Sequence, residues 1–258
     1  MKFQICLIIL VVKPSYKIND KSAHTVKKLS LELGGNAPFI VFDDADIDLA
    51  VEGALLAKYR NTGQTCVCAN RFFVQEGIYD QFVKQFSQAV ENLIVGNGLE
   101  ATTVIGPLIN RKAVEDVNSL VEDAVKNGAS IALGGSLDHS NLYRPTVLAN
   151  VTSKMKIHSE EIFGPVAPIF KFKTEEDVVA LANDTSYGLA SCFYGKGYAK
   201  LWRVAEALEF GMVGINTAAI STTVAPFGEI KESSFGREGS KYGMDDFMEI
   251  KYMCWGNI

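Results

Sequence analysis

Two cysteines and a handful of carboxylates are the side chains of this sequence with chemistry to offer. Cys66 lies just past Gly63 in the run Tyr59-Arg60-Asn61-Thr62-Gly63-Gln64-Thr65-Cys66-Val67-Cys68-Ala69-Asn70-Arg71. A long amphipathic segment ends before it and an apolar run begins after it. A thiol at such a junction can face a cleft while rigid elements hold its backbone, which is what a nucleophile needs. The competing reading is a small buried hydrophobe, the usual state of a free cysteine, and on the residue alone that reading is favoured. Glu32 sits near the end of a segment in which Leu29, Leu31 and Leu33 alternate with Ser30 and Glu32, just before Gly34-Gly35. A carboxylate at a strand end beside two glycines can reach a cleft as a general base; it can equally face solvent. His24, His139 and His158 lie far apart without cysteines at ligand spacing, so no metal site is expected. No G-x-G-x-x-G follows a strand and there is no P-loop, and Gly96-Asn97-Gly98 reads as a turn at a helix end.

The elements that must position these groups follow from periodicity. Alternation over 29–33 predicts a strand, with a tight turn at Gly34-Gly35, and residues 25–28 close a helix. Residues 39–42 read as a short buried strand. Asp43, Asp44 and Asp46 offer N-caps for a helix reaching about Arg60, with Ile47, Val51, Ala54, Leu55 and Lys58 on one stripe, which delivers the cysteine loop at its end. Strands are expected over 71–75, 129–133, 166–172, 189–194 and 212–216. Helices are expected over 78–95, 110–127 and 199–208, with another opened by the acidic run from Thr174. Alternation over 247–253, with Met248, Ile250 and Tyr252 on one face, predicts a last strand. The strand-helix-strand rhythm argues an α/β layered domain with parallel strands.

Bulk properties narrow the class. The chain has 258 residues, 48% of them apolar, and a formal net charge of -5 with no long basic block, so nucleic acid is an unsuitable partner. Five irregularly spaced cysteines do not form a secreted disulfide framework and fit a reducing compartment. Residues 3–12 are almost wholly apolar, too short to span a bilayer comfortably as a helix. They are open to reading as a buried strand or as a signal peptide without a convincing cleavage site. A cytoplasmic location is the main expectation, a mitochondrial one the alternative in a eukaryote, and no membrane partner is expected.

Four blocks together carry a family resemblance. Asn61-Thr62-Gly63-Gln64-Thr65-Cys66-Val67-Cys68-Ala69-Asn70, Leu31-Glu32-Leu33-Gly34-Gly35-Asn36, Glu160-Glu161-Ile162-Phe163-Gly164-Pro165 and Gly236-Arg237-Glu238-Gly239-Ser240-Lys241-Tyr242-Gly243 resemble, in order, those of the aldehyde dehydrogenase superfamily, and the first resembles its succinate-semialdehyde branch. The resemblance runs from about Val26 to Trp255. It implies Cys66 as nucleophile, Glu32 as general base, Glu161 on the nicotinamide ribose and Phe163 lining the cofactor pocket. Within the branch, Arg60 matches an arginine that grips the substrate carboxylate and Ser221 its hydroxyl partner. NAD or NADP would be the cofactor, a small aldehyde the substrate, and a tail strand would join subunits in a homo-oligomer. Cys68 matches a redox partner of the nucleophile, which needs a Cα separation of roughly 4.4–6.8 Å. The implied reaction is oxidation of succinate semialdehyde to succinate through a cysteine thioester. The alternative is a non-catalytic chain that only associates with family subunits.

The resemblance also has gaps. Family members carry most of a nucleotide-binding domain before the Leu-Glu-Leu-Gly-Gly block, where this chain has some thirty residues. The expected organisation is therefore a leader plus remnant of that domain over 1–35, a catalytic domain over 36–235 and a tail over 236–258, with impaired activity. Glu229 stands where the family usually has a second glycine of Pro226-Phe227-Gly228, and Ser234 replaces the glycine of a serine-glycine pair. A side chain at a positive-φ position is costly.

Overall fold

The apolar runs between helices assemble into one mostly parallel sheet. A computed structural model of the chain describes residues 5–9, 20–25, 28–136 and 141–257. Its seven-stranded sheet is built from β3 (Ala37–Val41), β4 (Ala69–Gln75), β5 (Ser130–Leu133), β6 (Thr146–Val151), β7 (Val166–Phe172), β9 (Ala190–Tyr194) and β10 (Met212–Ile215). They lie in the order β10-β9-β3-β4-β7-β6-β5, and only the β5–β6 pair is antiparallel. The short pair β8 (Tyr187–Gly188) and β11 (Ile230–Lys231) is antiparallel, and β1 (Ile5–Ile9) runs parallel to β2 (Lys28–Glu32).

Burial explains why the strands read as continuous apolar runs. Every residue of β3 and β9 is buried, as expected for strands covered on both faces. Successive side chains point to opposite faces, and Phe72 and Phe73 of β4 accordingly belong to separate cores. Phe72 packs with Phe39, Val74 and the helices α1 (Ile47–Tyr59) and α2 (Tyr79–Glu91) through Ala50, Ala54, Phe82 and Phe86. Phe73 packs with Phe42 and Phe170 under α3 (Arg111–Lys126), α4 (Glu175–Asn183) and α5 (Tyr198–Ala207), which contribute Val117, Val121, Val178 and Val204. The helix starts are capped as their sequences suggest. Asp46 accepts from Leu49 N, Asn110 from Ala113 N, and Thr174 with Asp177 forms a reciprocal capping box.

The strand directions place the glycine-flanked blocks at one edge. Gly34-Gly35 leads into β3, the cysteine loop into β4, and Gly164-Pro165 into β7. The chemistry-bearing loops therefore gather at the amino ends of parallel strands, whereas open α/β sheets ordinarily bind ligands at the carboxyl ends.

Three expectations are corrected. Residues 248–257 form no strand; Ile250, Tyr252 and Trp255 are exposed, and no strand among the described residues pairs their backbone, although Lys28 holds Met248 O and Glu249. The helical stretch at 20–22 closes through a 3-10 turn, Ala23–Thr25, at the start of the expected 25–28 helix end, but Lys28 already belongs to β2. Gly34 and Gly35 are not a positive-φ turn; they serve close approach, as the site shows. The leader forms a strand over 5–9, while the remainder of residues 3–12 lies outside the described residues. No helix among the described residues is long and apolar enough to cross a membrane.

Candidate active site

The cysteine loop is held by its own turn and by a neighbouring segment. Helix α1 ends at Tyr59, and Asn61, Thr62 and Gly63 follow with φ of 52°, 61° and 75°. Three consecutive left-handed residues reverse the chain sharply, and a β-branched residue there is strained. Contacts outside the loop hold the turn. Thr62 Oγ1 donates to Gly106 O (3.3 Å) and accepts from Gly106 N (3.1 Å), and Gln64 Oε1 accepts from Ile109 N (2.9 Å). Cys68 N donates to Thr65 O (3.1 Å), closing a turn around Cys66.

The Gly34-Gly35 segment is the seat on which this loop rests. A Cβ on Gly35 would collide with the Cys66 carbonyl oxygen, and one on Gly34 would fall 2.5 Å from Glu161 Oε2. Gly35 N donates to Glu161 Oε1 (3.1 Å) and Gly35 O accepts from Asn70 Nδ2 (3.2 Å). Asn70 Oδ1 in turn accepts from the Nζ of Lys58, whose side chain is fully buried (3.2 Å). Glu161, Gly35, Asn70 and Lys58 thus form one chain of hydrogen bonds beneath the loop. Lys58 and Asn70 had no role assigned from sequence, although Lys58 stood on the apolar stripe of α1, which was the available signal.

The electrostatics around Cys66 are anionic. Cys66 is half-buried, and its thiol is pushed up to about 11 by burial and by the carboxyls of Glu32, Glu161 and Glu229. Glu32 is raised from 4.5 to about 7, chiefly by burial and by Glu238, against a lowering contribution from Glu229 and Arg237. Glu161 is also raised to about 7, by burial, opposed by its Gly35 hydrogen bond and by Lys58. Lys58 is itself lowered by burial. At neutral pH Cys66 is a thiol, and the charged side chains that act on it are carboxyls. Glu32, only 8% exposed, is not a solvent-facing strand residue.

The remaining predicted residues divide into two groups. Arg60 and Ser221 line one pocket together with Thr65 and Val67, the neighbours of Cys66, and with Leu56, Ala190 and Ile220. Among the described residues Arg60 makes no ion pair. Phe163, 43% exposed and at φ 48°, holds its ring outward two residues from Glu161. Cys68 lies apart: it is buried, free, and donates its thiol to Lys58 O at 3.4 Å. A bond from Cys68 to Cys66 would have to break that contact. Of the two departures from the family pattern, Ser234 carries the expected strain, with φ 137°, while Glu229 does not occupy a left-handed position.

Comparison with known proteins identifies this arrangement. Residues 13–253 match the model of the aldehyde dehydrogenase family. The chain belongs to the aldehyde dehydrogenase family. It is 58% identical over 245 residues to the mitochondrial succinate-semialdehyde dehydrogenase of Oryza sativa subsp. japonica, covering 94% of this chain and 46% of the rice protein. It is 57% identical over 238 residues to the glutarate-semialdehyde dehydrogenase of Pseudomonas putida, covering 92% of this chain and 50% of the other. The crystal structure of succinate-semialdehyde dehydrogenase from Burkholderia pseudomallei superposes with a TM-score of 0.95 at 54% identity, over 96% of this chain and 52% of that one. The chain thus spans about half the length of the curated relatives it matches, and its mixed α/β fold with a mostly parallel sheet is that of aldehyde dehydrogenase structures.

Proposed function

We propose that this chain carries the aldehyde-oxidising centre of a dehydrogenase for small semialdehydes whose far end is a carboxylate, succinate semialdehyde foremost. The observation that carries the reading is the shared pocket of Arg60, Ser221, Thr65 and Val67 beside Cys66, with the Arg60 guanidinium unpaired among the described residues. A guanidinium fork suits a carboxylate, and Ser221 adds a hydroxyl donor. Two relatives named for succinate and for glutarate semialdehyde agree with a carboxylate-ended aldehyde and leave chain length to the pocket.

In this reading Glu32 removes the Cys66 proton, and the sulfur adds to the aldehyde carbon to give a thiohemiacetal. Glu161 and Phe163 would hold the nicotinamide end of NAD or NADP: the Gly34 surface leaves room for Glu161 at the edge of the cleft, and the exposed Phe163 ring offers an apolar wall. When bound, a dinucleotide there would supply the two-electron acceptor for oxidising the substrate carbon. Once Glu32 has passed the Cys66 proton to solvent, water adds to the thioester carbonyl and Glu32 takes its proton. The C–S bond breaks, and carboxylate product and the Cys66 thiol are released. Glu32 therefore serves twice, and its elevated pKa, about 7, suits a base operating near neutrality.

The exposed tail favours a second role beside the first, association with family subunits through residues 247–255. Two assays separate them. Ester hydrolysis tests Cys66 without cofactor, and dinucleotide reduction with succinate semialdehyde tests the whole reaction. The chain is expected to hydrolyse an activated ester and to lose this on Cys66→Ser. In subunits that turn over, Arg60→Ala should weaken use of succinate semialdehyde while sparing uncharged aldehydes; equal losses on both would remove Arg60 from the substrate site.

A further inference from the structure

Glu229 is a buried acid without an obvious partner. It is 2% exposed, and with both carboxyls ionised neither of its oxygens finds a donor among the described residues; the carboxyl that bears on it as a hydrogen-bonding neighbour is that of Glu32. Its backbone is fixed: its carbonyl accepts from Arg237 Nη1 (2.8 Å), which also donates to Gly236 O (2.6 Å), and the preceding residues pack on Gly211. The same segment is pinned to β2 at two places. Ser233 Oγ donates to Gly34 O (2.8 Å) just past the strand end, and a Cβ on Gly236 would meet Ser30 Oγ at 3.0 Å. Ser30 and Glu32 point to the same face of β2, because strand side chains alternate. That face is the one covered by residues 229–237, so Glu32 is turned into the segment that carries Glu229.

We propose that Glu229 is a positioning residue for Glu32, the two buried carboxyls holding one proton between them beside Cys66. A pair of carboxyls closed off from water cannot both ionise readily, so one keeps its proton and donates it to the other. Burial and the charge on Glu32 raise Glu229 to about 9, above Glu32 at about 7, which makes Glu229 the proton-bearing member. The other charges facing the pair are Arg237, which lowers both, Glu238, which raises both, and the Cys66 thiol. The donated proton fixes the rotamer of Glu32 and leaves its second oxygen for water or for the Cys66 proton. The inference rests on Glu32 as the base, but its test needs no turnover.

The test is a titration of the intact chain carrying carboxyl-labelled glutamate, followed by carbon NMR from about pH 5 to about pH 10. Two linked steps are expected, the upper one assigned by its loss in Glu229→Gln. Reciprocity is the decisive arm: in Glu32→Gln the Glu229 step should fall by about one pKa unit or more, because its like-charged neighbour is gone. A second readout is the alkylation rate of Cys66, mapped by mass spectrometry. Above about pH 9 the wild type should fall several-fold behind Glu229→Gln, where no second charge appears beside the thiol. Circular dichroism checks that each variant folds, and either variant alone suffices for one arm. A Glu229 that titrates in the ordinary carboxylate range, or whose step is indifferent to Glu32→Gln, overturns the proposal.

Discussion

The cysteine loop and the C-terminal segment are both unusual stretches of backbone, but they are held differently: the loop from several sides, the tail only near its start, where Lys28 Nζ donates to Met248 O (2.9 Å) and pairs with Glu249 (3.1 Å) among the described residues. The loop at 61–68 carries three left-handed residues in a row and still sits on glycine, on Gly106 and on the Lys58–Asn70–Gly35–Glu161 chain of hydrogen bonds. The segment at 247–257 has a clear apolar alternation and is exposed throughout. Strain can be maintained where neighbours over-determine it; a strand pattern with no edge to join remains a pattern. The difference shows that local signals become structure only in proportion to the partners the chain itself provides.

The sharpest way to break this contrast is to remove a partner from under the loop. Phe86 is fully buried on α2 between Phe72, Phe82 and Tyr59, and Tyr59 is the last residue before the loop. Phe86→Ala should cost about 3–5 kcal/mol in denaturant unfolding, with Cys66 alkylation losing its protection before the sheet melts. A smaller loss would mean that the loop is held by Gly106 and Gln64 rather than by the core.

The second prediction concerns pH. Glu32 and Glu161 have folded-state values raised from 4.5 to about 7, and Glu229 to about 9. A carboxyl raised on folding contributes stability that is fully present below its unfolded value and is lost as pH rises through the folded one. Unfolding free energy should therefore decline from about pH 4.5 toward pH 9, on the order of 3 kcal/mol for a carboxyl moved that far, and equilibrium unfolding across that range measures it. The slope should flatten in Glu229→Gln. Flat stability over this window would show that these carboxyls are solvated, and rising stability that folding holds them below their free values.

Third, Gly35→Ala places a methyl against the Cys66 carbonyl. Overpacking of this kind costs about 1–3 kcal/mol, and the displaced loop should alter Cys66 alkylation more than it alters the unfolding midpoint. An unchanged alkylation rate would show that the loop moves freely over the glycine seat.

These particulars also mark how far sequence alone reaches. The helices were legible because their stripes and caps are local: Asp46, Asn110 and Thr174 each perform the capping their type and place suggest. The strands were legible because full burial on both faces produces continuous apolar runs. Cys66, Glu32 and Glu161 were singled out only through the blocks around them, since a lone thiol or carboxylate has no spacing signature; the structure adds that they share one anionic environment. Lys58 and Asn70 were missed because their importance lies in contacts to Gly35 and Glu161, distant in sequence. Glu229 was visible as an odd residue in a glycine-rich stretch, but its burial goes with contacts distant in sequence, Gly211 at its own backbone and Gly34 and Ser30 at Ser233 and Gly236, which no local pattern encodes.

The smallest expected effect lies in the tail and bears most directly on the opening contrast. Ile250 is fully exposed and belongs to no strand. Ile250→Asp should change the unfolding free energy of the isolated chain by no more than about 0.5 kcal/mol, the usual range for a surface substitution. If residues 247–255 join a partner's sheet, the same substitution should lower the concentration-dependent mass seen by sedimentation, because a charge replaces apolar contact at the joint. A stability loss without any change in association would mean that the tail packs on its own chain. Unchanged association with unchanged stability would take the tail out of the interface altogether. The pairing of apolar side chains on one face with unpaired backbone groups is what makes association the expected outcome. A sheet edge supplied by a second chain satisfies both at once, and beyond the Met248 contacts no strand among the described residues of this chain does so.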